Sequence, residues 1–347
     1  MPAMNGSILE RLLNHAAKLH ASDLHLVAGE PPIFRVGSAL QRAEAHPLTP
    51  DDIKAIVEDQ IGADQAAKIG PELGHVIAMC ESPGVVEGRM CVTRAAGSLT
   101  ATIRILPTKL PDPIKVGIPQ ALHDAAKSSN GLIIVSGEAG CGKTTVAMML
   151  LEQINASLPV RIVTIEDPVG IRIQPKRAVI TQQNIDTDTP SYSSALRAVM
   201  RQDPDVIFVG EIRDLPTLEA CVTAANIGHL VITQVHATSP ENAIQRMIDV
   251  HPEEMKPAFR RNLATVLRAV SVQKLLALAG KPGVVSAFGL LIPDKEMRQA
   301  IVEGKDTKDR TSPLPVGCQS LSDEIRRFQK AGIITDTTAS EALSLLE

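Results

Sequence analysis

The run Gly137-Glu-Ala-Gly-Cys-Gly-Lys-Thr144 fits the pattern G-x-x-x-x-G-K-[ST], and its surroundings narrow what the chain can fold into. An apolar stretch, Leu132-Ile-Ile-Val-Ser136, precedes it and reads as a strand. A stretch of helical character, Thr145-Val-Ala-Met-Met-Leu-Leu-Glu152, follows it. Strand, glycine-rich turn and helix in that order form a phosphate-binding loop, in which the glycines let backbone N–H groups turn inward around an anion. In such a loop Lys143 reaches the β- and γ-phosphates of a nucleotide and the Thr144 hydroxyl ligates Mg²⁺. Gly137, Gly140, Cys141, Gly142 and Thr145 complete the expected cradle, and ATP with Mg²⁺ is the ligand pair it suits.

From Gly131 onward apolar runs alternate with helical stretches: Leu132–Ser136, Arg161–Ile165, Asp205–Val209 and Leu230–Val235. Strands that are apolar on both faces and separated by helices predict an α/β domain with a mostly parallel sheet. Ligands on such sheets bind at the carboxyl ends of the strands. Glu166 and Asp167, Glu211, and His236 each fall just past one of those ends, which is the reason to read them as one site.

Composition removes several classes of function. With 44% apolar and 21% charged residues, the chain can bury a core. A formal charge of −4, one Tyr, no Trp and five Phe leave neither a basic field nor stacking platforms, so nucleic acid is not an expected partner. Five scattered cysteines without a Cys-x-x-Cys pair argue against a zinc knuckle or a disulfide framework. Cys141 sits beside a lysine at a helix start, a setting that can activate a thiol, although filling a small space is the simpler role. The N-terminus has no basic-then-apolar signal, and no run reaches the ~18 apolar residues that a membrane span needs. A cytoplasmic location without an integral membrane segment is expected.

The first third of the chain is organised differently. Residues 6–19 have helical apolar spacing, Ser22–Leu26 and Ile33–Val36 read as short strands, and Thr49-Pro-Asp-Asp-Ile53 offers an N-cap with a proline at N1. Strand-like patches follow at His75–Met79, Arg89–Thr93 and Leu99–Ile105. The proline-dense Leu106–Pro113 breaks regular structure. We therefore expect a small α+β domain over residues 1–110, a linker over 111–118 and an ATPase domain over 119–347, with a C-terminal helical region from about 294.

Asp205-Val-Ile-Phe-Val-Gly-Glu211 is an apolar strand ending in an acid, and a carboxylate there can hold Mg²⁺ and orient or deprotonate the attacking water. Thr164-Ile-Glu-Asp-Pro168 adds two acids at the end of another strand; alone, an acid before proline is a common turn start. Gly228-His-Leu-Val-Ile-Thr-Gln-Val-His236 puts a histidine at each end of a strand, too far apart for one metal site. By themselves His229 and His236 read as structural.

Together these segments resemble the type II/IV secretion ATPase superfamily and, within it, the PilT-like type IV pilus retraction (twitching motility) ATPases. Thr164–Pro168 is similar to that family's Asp box, Leu196–Asp214 to its Walker B region and Gly228–His236 to its His box. Ala21–Leu26 resembles the opening of its N-terminal PAS-like domain; Gly317–Leu321 and Gly332–Thr335 resemble its C-terminal helical region. The resemblance implies a RecA-like ATPase domain, a homohexameric ring, and force applied to an inner-membrane pilus platform protein by a cytoplasmic protein docked there. By the same mapping Glu211 is the catalytic glutamate, Glu166 the acid beside it, and His229 and His236 support the γ-phosphate. Arg89 and Arg104 match positions from which arginines reach toward phosphate.

The chain departs from the family pattern at four places. Gly170 stands where a further glutamate is usual, Cys91 at or near an expected arginine, and His251 where an aromatic is common. Met297–Gly304 is only loosely similar to the segment tied to retraction. Pilus assembly or type II secretion is the nearest alternative function, although the tetracysteine zinc motif of those ATPases is not in this sequence. A weakly active ATP-binding accessory subunit is the alternative of another class.

Overall fold

The computed structural model describes residues 7–346 apart from 38, 71, 84, 107–109, 113–115, 186, 282 and 307–314. The chain divides into two compact units, Met1–Lys109 and Leu110–Glu347. Part of the expected linker, residues 113–115, lies outside the described residues, as do 107–109 and Pro113 of the proline-dense segment.

In the first unit, helix α1 (Ile8–Lys18) opens with a capping box: Ser7 accepts from the Glu10 backbone and Glu10 reaches back to Ser7. Thr49 and Asp52 do the same for α2 (Pro50–Ile61), with Pro50 in the first turn, and the short α3 (Ala63–Lys68) follows. Strands β1 (Asp23–Leu26), β2 (Ile33–Val36), β3 (Ala39–Arg42), β4 (Val76–Ser82), β5 (Val86–Ala95) and β6 (Ser98–Leu106) form an antiparallel sheet in the order β3-β2-β1-β6-β5-β4. Strand β3 escaped the sequence reading because all four of its residues are exposed and carry no apolar alternation. Phe34, Leu24, Ile103 and Met90 lie opposite one another across four strands and are fully buried against Leu9, Leu13, Ile53 and Val57 of the helices. The next row, Arg35, Asp23, Arg104 and Arg89, must point to the other face, because side chains alternate along a strand.

The second unit is a seven-stranded sheet in the order β13-β12-β7-β11-β10-β8-β9. Its strands are β7 (Gly131–Gly137), β8 (Arg161–Glu166), β9 (Val179–Asn184), β10 (Val206–Val209), β11 (Leu230–Val235), β12 (Leu267–Ala277) and β13 (Val284–Leu291). All pairings are parallel except that of β12 with β13. Along β7, Leu132 and Ile134 join the core on one face while Ile133 and Val135 join the core on the other. That two-sided burial explains why the sequence shows unbroken apolar runs.

Helices cover both faces of this sheet. One is packed by α4 (Gln120–Ala125) and α5 (Lys143–Ser157); the other by α6 (Tyr192–Val199), α7 (Leu215–Asn226), α8 (Pro240–Asp249), α9 (Lys256–Val266) and α10 (Lys295–Glu303). Helix α5 is apolar around most of its circumference, as a buried helix has to be. Two last helices, α11 (Leu321–Lys330) and α12 (Asp336–Ser344), pack Ile325, Phe328 and Ala339 on Val272, Leu276 and Ala287 of the β12–β13 hairpin. Among the described residues no helix is long and apolar enough to cross a membrane.

Candidate functional site

Strand β7 runs into the glycine-rich loop, and its geometry explains the glycines. Gly137, Gly140 and Gly142 all have positive φ, which L side chains resist. At Gly137 space is also closed: an added Cβ would lie 2.5 Å from both the Cys141 Sγ and the Gln273 carbonyl oxygen. Helix α5 starts at Lys143 without a side-chain cap, so its first N–H groups face the loop's hollow, with Thr145 half-buried in the same turn. Lys143 is only 8% exposed, and its Nζ donates to the carbonyls of Gly137 at 3.0 Å and Glu138 at 2.7 Å. The Thr144 hydroxyl donates to Gln234 Oε1 at 3.2 Å. Cys141 is buried with its Sγ against Gly137, and burial pushes the thiol above its ordinary pKa against the pull of Lys143.

The parallel strands deliver their carboxyl ends to the same edge. From the Lys143 Nζ it is 3.4 Å to Nδ1 of His236, just past β11. From His236 Nε2 it is 2.9 Å to Oε1 of Glu211, past β10. A neutral imidazole carrying its proton on Nε2 satisfies both contacts, accepting from the lysine and donating to the carboxylate. The other Glu211 oxygen accepts from Arg213 Nε at 3.0 Å, and Arg213 donates onward to Asp167, past β8, at 2.6 Å. The hydrogen bond to Glu211, reinforced by that to Asp167, raises the Arg213 pKa further. Lysine, histidine, glutamate, arginine and aspartate thus form one continuous network along three strand ends. Gly210 is small because a Cβ there would meet the Tyr192 hydroxyl and the end of β8.

Four residues named from the sequence take no part in this hydrogen-bonded network. His229 precedes β11, and its carbonyl accepts from Gly131 at the start of β7. It therefore stands at the amino edge of the sheet, a six-residue strand or about 20 Å from His236, and this chain does not bring it to the site. Of the two histidines, His236 is the one in contact with Lys143 and Glu211. Glu166 is the last residue of β8 but is 3% exposed; its carboxylate accepts from Thr164 at 2.6 Å, Gln182 at 3.2 Å and the Gly170 N–H at 3.4 Å. Burial, only partly offset by those donors, raises its pKa. Its hydrogen bonds leave the network, and its neighbour Asp167 is the acid that joins it. Arg89 and Arg104 belong to the N-terminal unit, where they face each other across β5 and β6, and Arg104 Nε pairs with Asp23 Oδ1 at 3.1 Å. Burial raises the Asp23 pKa, but hydrogen bonds from Ser22 and Arg104 outweigh it and leave the carboxyl below its ordinary value.

Arg213 and Gln234 are the functional-looking residues that pattern alone did not single out. Their one signal is a polar side chain at the end of an apolar strand. At another departure, His251 is buried and stacks on Phe259 with ring centroids 3.9 Å apart, so it packs as an aromatic would.

The chain is similar to known proteins along most of its length. The model of the type II/IV secretion system protein family matches residues 4–334. The chain belongs to this family. Among family relatives, it is 32% identical to the type IV pilus retraction ATPase PilT of Pseudomonas aeruginosa, over 98% of this chain and 99% of that protein. It is 34% identical to YggR of Escherichia coli over 94% of this chain and 95% of the relative. The crystal structure of the pilus retraction motor PilT with bound ADP superposes with a TM-score of 0.89 at 33% identity, covering 96% of each chain. The fold of this family member is therefore that of the retraction motor in both units.

Proposed function

We propose that this protein is an ATP-hydrolysing motor that powers type IV pilus retraction. The observation that carries the reading is the network joining the loop lysine through His236 to Glu211, because it couples the phosphate cradle to a carboxylate able to take a proton. Lys143 exchanges its two loop carbonyls for β- and γ-phosphate oxygens, and the N–H groups around Gly137, Gly140, Cys141, Gly142 and Thr145 cradle the rest. Glu211 accepts the proton of the attacking water, with its carboxylate aimed by Arg213 and His236. The Thr144 hydroxyl and the Glu211 carboxylate are hard oxygen donors of the kind Mg²⁺ selects, and both fit as its protein ligands. When bound, the ion neutralises charge on the phosphates.

The ring and its partners are further parts of the proposal. Six copies form a closed homohexamer, Arg89 and Arg104 complete phosphate sites built on the ATPase unit, and hydrolysis acts on an inner-membrane platform protein of the pilus. End-to-end similarity to a retraction ATPase supports this over pilus assembly or type II secretion. A weakly active, ATP-binding accessory subunit is a second reading, favoured by one observation: both Glu211 oxygens are already engaged.

Steady-state ATPase activity of wild type beside Lys143→Ala and Glu211→Gln, with mass by light scattering, tests the proposal. Turnover abolished in both variants and a mass of about six subunits is the expected result. Wild-type nucleotide binding without turnover selects the accessory subunit, and restored twitching in a pilated, retraction-deficient strain distinguishes retraction from assembly.

A further inference from the structure

A threonine hydroxyl can ligate a cation only through its oxygen, so its proton has to point away toward an acceptor. The acids at these strand ends are committed elsewhere: Glu211 to His236 and Arg213, Asp167 to Arg213, and Glu166 to Thr164 and Gln182. The Thr144 proton goes instead to Oε1 of Gln234, at 3.2 Å. Gln234 is 5% exposed and lies in β11 opposite Val135 of β7, one strand over from the loop's own. Its carbonyl accepts from Ile212, which ties the same residue to the turn carrying Glu211 and Arg213.

We propose that Gln234 is a positioning residue for the divalent cation: by taking the Thr144 proton it holds the hydroxyl lone pairs toward the metal. A carboxamide suits this place. It accepts a hydrogen bond as a carboxylate does, but adds no negative charge beside the phosphates and does not compete for the cation as strongly. Gln234 is rigid where it matters, since its backbone lies in a buried parallel strand flanked on both sides. The inference rests on the reading of the loop as a Mg²⁺-nucleotide site.

The test is binding of a fluorescent ADP analogue, titrated with Mg²⁺ and repeated in EDTA, for the intact protein and for Gln234→Met, which keeps the volume and loses the acceptor. The half-saturating Mg²⁺ concentration should rise about 10-fold or more in Gln234→Met, while affinity in EDTA stays within about twofold of wild type. Gln234→Glu, which retains an acceptor, should bring the Mg²⁺ requirement back toward wild type. In a Thr144→Val background Gln234→Met should add no further Mg²⁺ effect. An unchanged Mg²⁺ midpoint in Gln234→Met, or an equal loss of affinity with and without Mg²⁺, overturns the inference alone. Wild-type binding that ignores Mg²⁺ would overturn the nucleotide-site reading beneath it.

Discussion

The two sheets treat polar residues in opposite ways. In the N-terminal sheet the helices of the same unit pack one face, and a charged row crosses four strands on the other: Arg35, Asp23, Arg104 and Arg89 sit one residue along from the buried row Phe34, Leu24, Ile103 and Met90. In the ATPase sheet both faces are packed by helices, and a charge mid-strand would have no solvent on either side. Apart from Lys274 within β12, which pairs with Glu138, charged side chains stand near or beyond the strand ends, and that is where Lys143, His236, Glu211 and Asp167 meet. How many faces a sheet buries decides where its chemistry can be placed.

The largest effect that would test this contrast is at a strand end. Glu211→Gln should lower ATP turnover about 10²- to 10⁴-fold while nucleotide binding persists, measured by steady-state hydrolysis beside equilibrium binding. An unaltered turnover would detach chemistry from the strand ends.

Core truncations probe the other half of the comparison. Phe208→Ala in the two-faced sheet and Phe34→Ala in the one-faced sheet each remove a fully buried ring. Both should cost about 3–5 kcal/mol of stability in urea unfolding. If the two units unfold separately, each variant should shift only its own transition.

Glu166 tests what burial does to an acid that is not at the open edge. With its pKa raised in the folded state, the native protein binds more protons than the unfolded chain between the ordinary glutamate value and the raised one. This contribution to stability is therefore present at low pH and is lost as pH rises through that window. Glu166→Gln should flatten the decline, measured as urea midpoints across the window; an identical slope would show that the acid is ionised in place. The smallest stability effect belongs to the exposed face: Arg104→Ala should change stability by less than about 1 kcal/mol, since its arginine is mostly solvated. Its turnover should fall if the arginine completes a phosphate site.

Much of this arrangement was legible in residue order. The loop Gly137–Thr144 and the strands around Ile133, Ile207 and Val231 carry strong local signals, because a twice-buried parallel strand must be apolar throughout. The edges were less visible. Strand β9 (Val-Ile-Thr-Gln-Gln-Asn) reads as polar, and the β12–β13 hairpin follows a helix without a clear break. Both find their place only by pairing with strands distant in sequence.

The site divides in the same way. Sequence by itself determined the phosphate cradle, since glycines with positive φ and a lysine at a helix start are local requirements. It also determined that acids would stand at the strand ends. Only the tertiary structure decided which of two adjacent acids faces the network, because the strand's last residue, Glu166, turns into the interior toward Gln182 while Asp167 meets Arg213. Only the tertiary structure decided which of the two histidines joins the network, because the parallel pairing of β10 and β11 sets the carboxyl end of β11, with His236, beside Glu211. Local sequence specifies conformation; which side chains meet is set by pairings between strands far apart in the chain.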